Sequence, residues 1–338
     1  MELEAKIKQV EDILKDKKVI IAFSGGSDST LIAKIASKAS REAIAVTVDT
    51  GTLPVDATRN ARYIASKLGI PHKIIKENFL EYENFRKNTP QRCFHCKDRI
   101  YAILESVAEE KGFDIIVDGT NITDMLEDRP GIMANYKRKI RSPLLEAKIT
   151  EEDVMEYLKR ENIDYAPDTT CLATRIKGPI TAKKLNMISY AEKLIKDLTG
   201  LELVRVRDFN GIAVIQVDDT SKILDKQLLE YILGKFKSAG FRGVHVDMEG
   251  YRKYRGELIG SQEDGRTIFE LKLPYPIDLE KTYSNFKAYR EDAQWLKIGD
   301  GIVKISEDGR IIIEEVKDRK EAERILLEVL SGIRRMKN

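Results

Sequence analysis

Neither sign of charge dominates this sequence: 58 Lys and Arg stand against 56 Asp and Glu, a formal net charge of +2 over 338 residues. Such a balance gives no global electrostatic pull toward nucleic acid. Long apolar runs are missing too, and nothing approaches the roughly 20 residues that a bilayer crossing needs. The N-terminal stretch instead places Leu3, Ile7, Val10, Ile13 and Leu14 on one helical stripe, without the continuous apolar core of a signal peptide. The expectation is a soluble, cytoplasmic protein with no membrane partner. Cysteine is scarce, with three in the chain. An odd number in a large chain of this kind suits a thiol or metal site better than a disulfide framework. Internal repeats and low-complexity linkers are also lacking, which leaves domain boundaries soft.

From residue 19 to about 145, short β-branched runs alternate with helical stretches, the pattern of a parallel sheet covered on both faces. Strands are expected over 19–23, 43–49, 72–75 and 114–118, with helices over 27–38, 56–68 and 98–111. Thr150 and Asp153 stand at capping-box spacing and open a further helix. The expected fold class is α/β: a doubly wound, mostly parallel domain over residues 1–172, a smaller α+β module over 173–260 and an accessory extension over 261–338. In the module, strands near 203–207 and 212–217 flank an Asn210-Gly211 turn between two helices. In the extension, Asp308-Gly309 marks a hairpin, and Ala322, Ile325, Leu326, Val329, Leu330 and Ile333 fall at helical spacing. That extension, with Trp295 in a further hairpin, is expected to pack on the catalytic domains or to support a homo-oligomer.

Directly after the first strand lies Phe23-Ser24-Gly25-Gly26-Ser27-Asp28-Ser29-Thr30. Two glycines let backbone N–H groups approach an anion, the positive end of the following helix faces it, and the hydroxyls add donors. This is a phosphate cradle, with a plain helix-capping turn as the bland alternative. The GxxxxGK(S/T) spacing of a Walker loop is absent, as is the three-glycine dinucleotide fingerprint. The order Ser-Gly-Gly-x-Asp-Ser after a first strand resembles the PP-loop of the ATP pyrophosphatases. That resemblance implies ATP cleavage between the α- and β-phosphates, with the substrate activated as an adenylate. It assigns Ser24, Gly25, Gly26, Ser27, Asp28, Ser29 and Thr30 to the pyrophosphate portion, Asp28 also supporting the loop and a Mg2+ ion. Adenine contacts are expected from Val48 to Thr50 and from Gly119-Thr120, beyond the C-terminal ends of the strands.

Arg92-Cys93-Phe94-His95-Cys96-Lys97 puts two thiols three positions apart at a helix start, where the dipole, Arg92 and Lys97 are expected to lower thiol pKa values. Cys171 lies 75 positions beyond Cys96 in a loop. Three thiolates can hold three irons of a 4Fe–4S cluster and leave the fourth open to sulfide. Zinc held by the same cysteines with His95 or a water is the competing reading, and three unlinked structural cysteines the bland one. Arg205 and Arg207 share one face of a strand, where two guanidinium forks suit a phosphate monoester unless they are simply solvated. Asp124 and Asp128, four apart, read as solvated acids that could also hold magnesium.

Taken together, several segments resemble the LarE family of ATP-dependent sulfur transferases of nickel-pincer nucleotide biosynthesis. They are SGGSDS, the Cys93–Cys96 segment, Asp118-Gly119-Thr120-Asn121 with Asp124, and Asp128-Arg129-Pro130-Gly131. Arg141-Ser142-Pro143-Leu144, Cys171-Leu172-Ala173-Thr174-Arg175, Val204-Arg205-Val206-Arg207 and Asp247-Met248-Glu249-Gly250-Tyr251-Arg252 continue the series. The resemblance implies adenylation of a carboxylate on a pyridinium dicarboxylate mononucleotide, followed by replacement of the activated oxygen with sulfur. It implies ATP, Mg2+ and a 4Fe–4S cluster on Cys93, Cys96 and Cys171 as cofactors, with sulfide or another sulfur donor as co-substrate. In the sacrificial version of the chemistry, sulfur comes from the Cys171 position itself. Cys171, Asp28, Arg205 and Arg207 form the implied catalytic set, with Arg129, Arg205, Arg207, Glu249 and Arg252 on the nucleotide substrate. A tRNA thiolase is the nearest alternative, RNA touching the basic run 136–141, although no recognisable RNA-binding module accompanies that run. A non-catalytic metal-binding adaptor is the alternative from another class, and an amidotransferase lacks its ammonia-supplying segment.

Overall fold

The computed structural model describes residues 2–167, 170–251, 255–263, 266–286, 295–298 and 301–336. The N-terminal part runs through α1 (Glu2–Leu14), β1 (Lys18–Ala22), α2 (Ser27–Ala39), β2 (Glu42–Asp49), α3 (Ala57–Leu68) and β3 (His72–Lys76). It continues through α4 (Glu83–Arg86), α5 (Arg92–Lys111), β4 (Ile115–Val117), α6 (Ile132–Arg138), α7 (Pro143–Glu146) and α8 (Glu151–Arg160). The four strands form a parallel sheet in the order β3-β2-β1-β4. β1 is central, and its Val19, Ile20 and Ile21 are fully buried, as befits a strand covered on both faces. Side chains alternate across it, so Val19 and Ile21 join a core with α1, α2 and α8, while Ile20 joins the core of the opposite face. This is the doubly wound α/β arrangement expected.

α5 begins six residues earlier than its periodicity indicates, at Arg92 rather than residue 98, so both thiols ride its first turns. No side chain caps that end; Arg92 instead reaches Asn88 Oδ1 (2.5 Å) and Ala173 O (3.2 Å), a tertiary anchor that no local pattern announces. The second part holds β5 (Ile176–Lys177), α9 (Ala182–Thr199), β6 (Val204–Phe209), β7 (Ile212–Val217), α10 (Lys226–Ala239) and β8 (Gly243–Val246). Its sheet is ordered β5-β6-β7-β8, and its core is continuous with that of the Ile20 face.

The C-terminal part contains β9 (Ile259–Glu263), β10 (Arg266–Lys272), α11 (Leu279–Ser284), β11 (Trp295–Ile298), β12 (Gly301–Ile305), β13 (Arg310–Glu314) and α12 (Arg319–Gly332). Its antiparallel sheet, β11-β12-β13-β10-β9, is packed with α12 against Ile122, Met125, Ile132 and Leu145 of the first part. Among the described residues no helix is long and apolar enough to cross a membrane.

The capping box at α8 forms in both directions: Thr150 Oγ1 accepts from Asp153 N at 3.1 Å and Asp153 Oδ2 from Thr150 N at 2.9 Å. Thr150→Ala should cost about 1 kcal/mol in a denaturant melt, and Thr150→Ser should restore most of it; equal losses in both variants would contradict the capping account.

Candidate functional site

Between β1 and α2 the chain turns through Gly25 at φ +82°, where a Cβ would also press to 2.9 Å from Ala61 Cα. Only glycine fits that turn. Ser29 Oγ accepts from Ser24 N (3.3 Å) and Gly25 N (3.1 Å), and Thr30 Oγ1 donates to Gly25 O (3.0 Å). Both residues are buried, so these hydroxyls build the loop instead of serving as free donors for phosphate, which corrects the expectation. Ser24 is exposed and Ser27 half-buried. No side chain caps α2, which leaves first-turn N–H groups available to an anion. Gly119 lies against that turn, its hypothetical Cβ 2.8 Å from Ser29 N.

Asn121 Nδ2 donates to Asp28 Oδ1 at 3.0 Å. Burial, then the nearby Asp124 carboxylate, pushes the Asp28 pKa up to about 7. Asp124 is itself buried, accepts from Asn121 N (3.1 Å) and pairs with Arg129 (2.7 Å), so it is not a solvated acid. Arg129 also binds Glu127 at 3.0 Å and so stands with the PP-loop acids. Asp128, by contrast, pairs with Arg335. Val48 and Thr50 are buried at the end of β2, and the carbonyls of Asp49 and Thr50 accept from Glu77 and Phe79 N–H. The Thr120 hydroxyl donates to Asp118 Oδ2 at 2.7 Å.

All three cysteines are free and half-buried. Arg92 Nη2 lies 3.1 Å from Cys93 Sγ, and Thr52 Oγ1 lies 3.1 Å from Cys171 Sγ. The Cys96 thiol is pushed up, first by burial and then by the neighbouring thiols of Cys171 and Cys93. This reverses the expected lowering: desolvation outweighs Arg92 and Lys97, and Lys97 is drawn to Asp118 at 2.8 Å. Among the described residues no three His, Cys, Asp or Glu side chains converge as ligands of one ion.

The segment carrying Cys171 is tied to every part of the site. Ala166 N donates to Gly25 O (2.7 Å) in the PP-loop and Leu172 N to Thr52 O (2.9 Å). Arg92 reaches Ala173 O, and Arg207 Nη1 reaches Thr174 O (3.3 Å). Arg205 is only 4% exposed, which rules out a solvated charge, and its guanidinium lies 5.7 Å from the Tyr251 ring centroid. Burial and then Arg175 lower the Arg207 pKa. Arg175 is buried, pairs with Glu192 (3.0 Å), donates to Cys171 O (3.0 Å), and leaves Nη2 without a hydrogen-bond partner. Lys196 is also lowered, by burial first and, against Glu192, by Arg205 and Arg175. Arg175, Arg207 and Lys196 thus share Glu192 as a countercharge, with Asp247 also acting on Arg207 and Asp56 on Lys196. Glu249 is exposed beside Asp247, and Arg252 lies outside the described residues. Arg175, Glu192, Thr52 and Asp118 were not assigned roles from sequence; the Cys-x-x-x-Arg spacing and the strand-end position of Asp118 were the available signals.

Asp28 makes a signed prediction. Its folded pKa, about 7, exceeds the ordinary value of about 3.9. The stability it contributes is therefore present below about pH 4 and lost as pH rises toward 7. Asp28→Asn should remove that component of the pH dependence of the unfolding free energy, measured without ligand; an unchanged profile would contradict the assignment.

Comparison with known proteins agrees with this geometry. Residues 1–185 match the family model described as a PP-loop domain. An uncharacterized protein of Methanocaldococcus jannaschii is 36% identical over 72% of this chain and 95% of its own length. Another from Synechocystis is 30% identical over 74% of this chain and 96% of its own. The pyridinium-3,5-bisthiocarboxylic acid mononucleotide synthase of Lactiplantibacillus plantarum is 29% identical over 72% of this chain and 90% of its own. The chain therefore belongs to the PP-loop family and, within it, to the LarE branch that its motifs resemble.

Proposed function

We propose that this protein is an ATP-dependent sulfur transferase that converts a carboxylate of a pyridinium dicarboxylate mononucleotide to a thiocarboxylate, as in nickel-pincer nucleotide biosynthesis. The observation that carries the reading is the Cys171 segment, bonded at once to the PP-loop, to Thr52, to the Cys93–Cys96 helix and to the Arg207 strand. Phosphate activation, a thiol and an anion pocket then serve one substrate. The relative from Lactiplantibacillus, named as the synthase of the bisthiocarboxylic mononucleotide, supports the same chemistry.

A carboxylate oxygen of the substrate attacks the α-phosphorus of ATP and pyrophosphate leaves; a sulfur nucleophile then attacks the acyl carbon and AMP leaves with the oxygen. Adenylation is needed because oxide is too poor a leaving group. The first turn of α2, with Ser24 and Ser27, holds the pyrophosphate end, and Asp28 supports the Mg2+ that accompanies it. Arg205, Arg207 and Arg175 take the substrate phosphate, and Glu192 keeps Arg175 oriented. Arg129 adds positive charge on the ATP side.

We read the three cysteines as the donor set of an iron–sulfur cluster. Burial, and then the thiols of Cys171 and Cys93, oppose ionisation of Cys96, and a bound cation would offset that cost. A 4Fe–4S cluster on Cys93, Cys96 and Cys171 would supply an open iron for sulfide. Thr52 beside the Cys171 sulfur and Arg92 beside the Cys93 sulfur would donate hydrogen bonds to it. The tRNA alternative weakens on a specific point: Lys137 pairs with Asp98, Arg138 with Asp98 and Glu105, and Arg141 with Glu146. Three of the four cations of that run are thus paired within the chain.

Anaerobic purification followed by metal and labile-sulfide analysis should give about four irons and four sulfides per chain. Stoichiometric zinc without sulfide would sink the cluster. Intact mass after one turnover should show Cys171 unchanged; loss of its thiol as dehydroalanine would assign the sacrificial route.

A further inference from the structure

The strap between β4 and α6 presents Asp124 and Arg129 to the PP-loop on one side. Its other side is gripped at four successive residues, by Arg255 and Gly256 just ahead of β9 and by Tyr275 and Arg335 of the C-terminal part. Tyr275 Oη donates to Met125 O at 2.6 Å and Gly256 N to Leu126 O at 3.0 Å. Arg255 Nε donates to Glu127 Oε1 at 3.0 Å, and Arg335 pairs with Asp128. Arg255 also pairs with Glu151, which heads α8. Beneath these contacts Ile122 and Met125 are buried in the core of the C-terminal sheet and α12.

Glu127 is the joint. One of its oxygens takes Arg255 Nε and the other takes Arg129 Nε, each at 3.0 Å. Arg129 then reaches Asp124 at 2.7 Å, beside Asp28. A single carboxylate held by two arginines fixes the planes of both, because the guanidinium fork is rigid.

We propose that the C-terminal part, with the 255–256 segment that leads into it, is a structural component of the adenylation site, in which Arg255, acting through Glu127, is a positioning residue for Arg129 at the ATP phosphates. Tyr275 and Arg335 hold the same strap in register. Arg255, Tyr275 and Arg335 are thus required for full ATP affinity although none of them is assigned a contact with ATP. This rests on the ATP-binding reading of the PP-loop given above.

The test measures binding of a non-hydrolysable ATP analogue with Mg2+ to the full chain by calorimetry, for the wild type, Arg255→Met, Arg129→Met and the double variant, with melting temperatures alongside. Arg255→Met should weaken binding about tenfold and Arg129→Met more, and the double variant should bind no worse than Arg129→Met alone. Arg255→Lys, which keeps charge but not the fork, should recover only part of the loss. Additive losses, or unchanged affinity with a lowered melting temperature, would overturn the proposal. If Arg255→Met fails to fold, Tyr275→Phe provides the same cycle with one hydrogen bond removed, and unchanged affinity there counts against the proposal. Failure of the wild type itself to bind the analogue would instead refute the ATP-binding reading.

Discussion

A buried carboxylate sets the geometry on which the site depends. Asp118 is 4% exposed at the end of β4, where an unpaired charge would be costly. Lys97 lies 2.8 Å away, and Tyr101 (2.8 Å), Asn135 (2.9 Å), Ser142 (2.7 Å) and Thr120 (2.7 Å) donate to it. Burial works to raise its pKa, but the charge and hydrogen bond of Lys97 hold it well below the ordinary carboxylate range. Lys97 follows Cys96 on α5, and Gly119 follows Asp118 against the first turn of α2. One ion therefore fixes the thiol helix relative to the PP-loop.

From that anchor the other parts follow by short links. Asn121, two residues past Gly119, caps its own turn and holds Asp28. The Cys171 segment leaves the PP-loop at the Ala166–Gly25 bond and arrives under Arg207. On the proposed reading, activation of the carboxylate and delivery of sulfur would share one neighbourhood, which would shield an adenylate from hydrolysis. On the proposed reading, the Arg175, Arg205 and Arg207 charges would hold the phosphate of a mononucleotide.

Local chemistry was legible in the sequence and tertiary electrostatics was not. The continuous apolar run Val19-Ile20-Ile21, the Gly25 turn and the Thr150–Asp153 box each act over a few residues, and all appear where their patterns put them. The thiol pKa was misjudged because Arg92 and Lys97 are visible as neighbours in sequence, whereas burial of Cys96 and the diversion of Lys97 to Asp118 are not. Asp124 looked solvated because its burial, and the pairing with Arg129 that accompanies it, arise only from the folded strap. The grip of the 255–256 segment and the C-terminal part on residues 125–128 depends on contacts spanning more than a hundred positions, which no periodicity reports.

The central claim is that ATP activation and sulfur delivery are separate steps meeting at Cys171. It is tested most directly by single turnover of Cys171→Ala with ATP and a pyridinium dicarboxylate mononucleotide, following pyrophosphate and thiocarboxylate together. The account predicts pyrophosphate release without thiocarboxylate formation. Thiocarboxylate formed at the wild-type rate would contradict it.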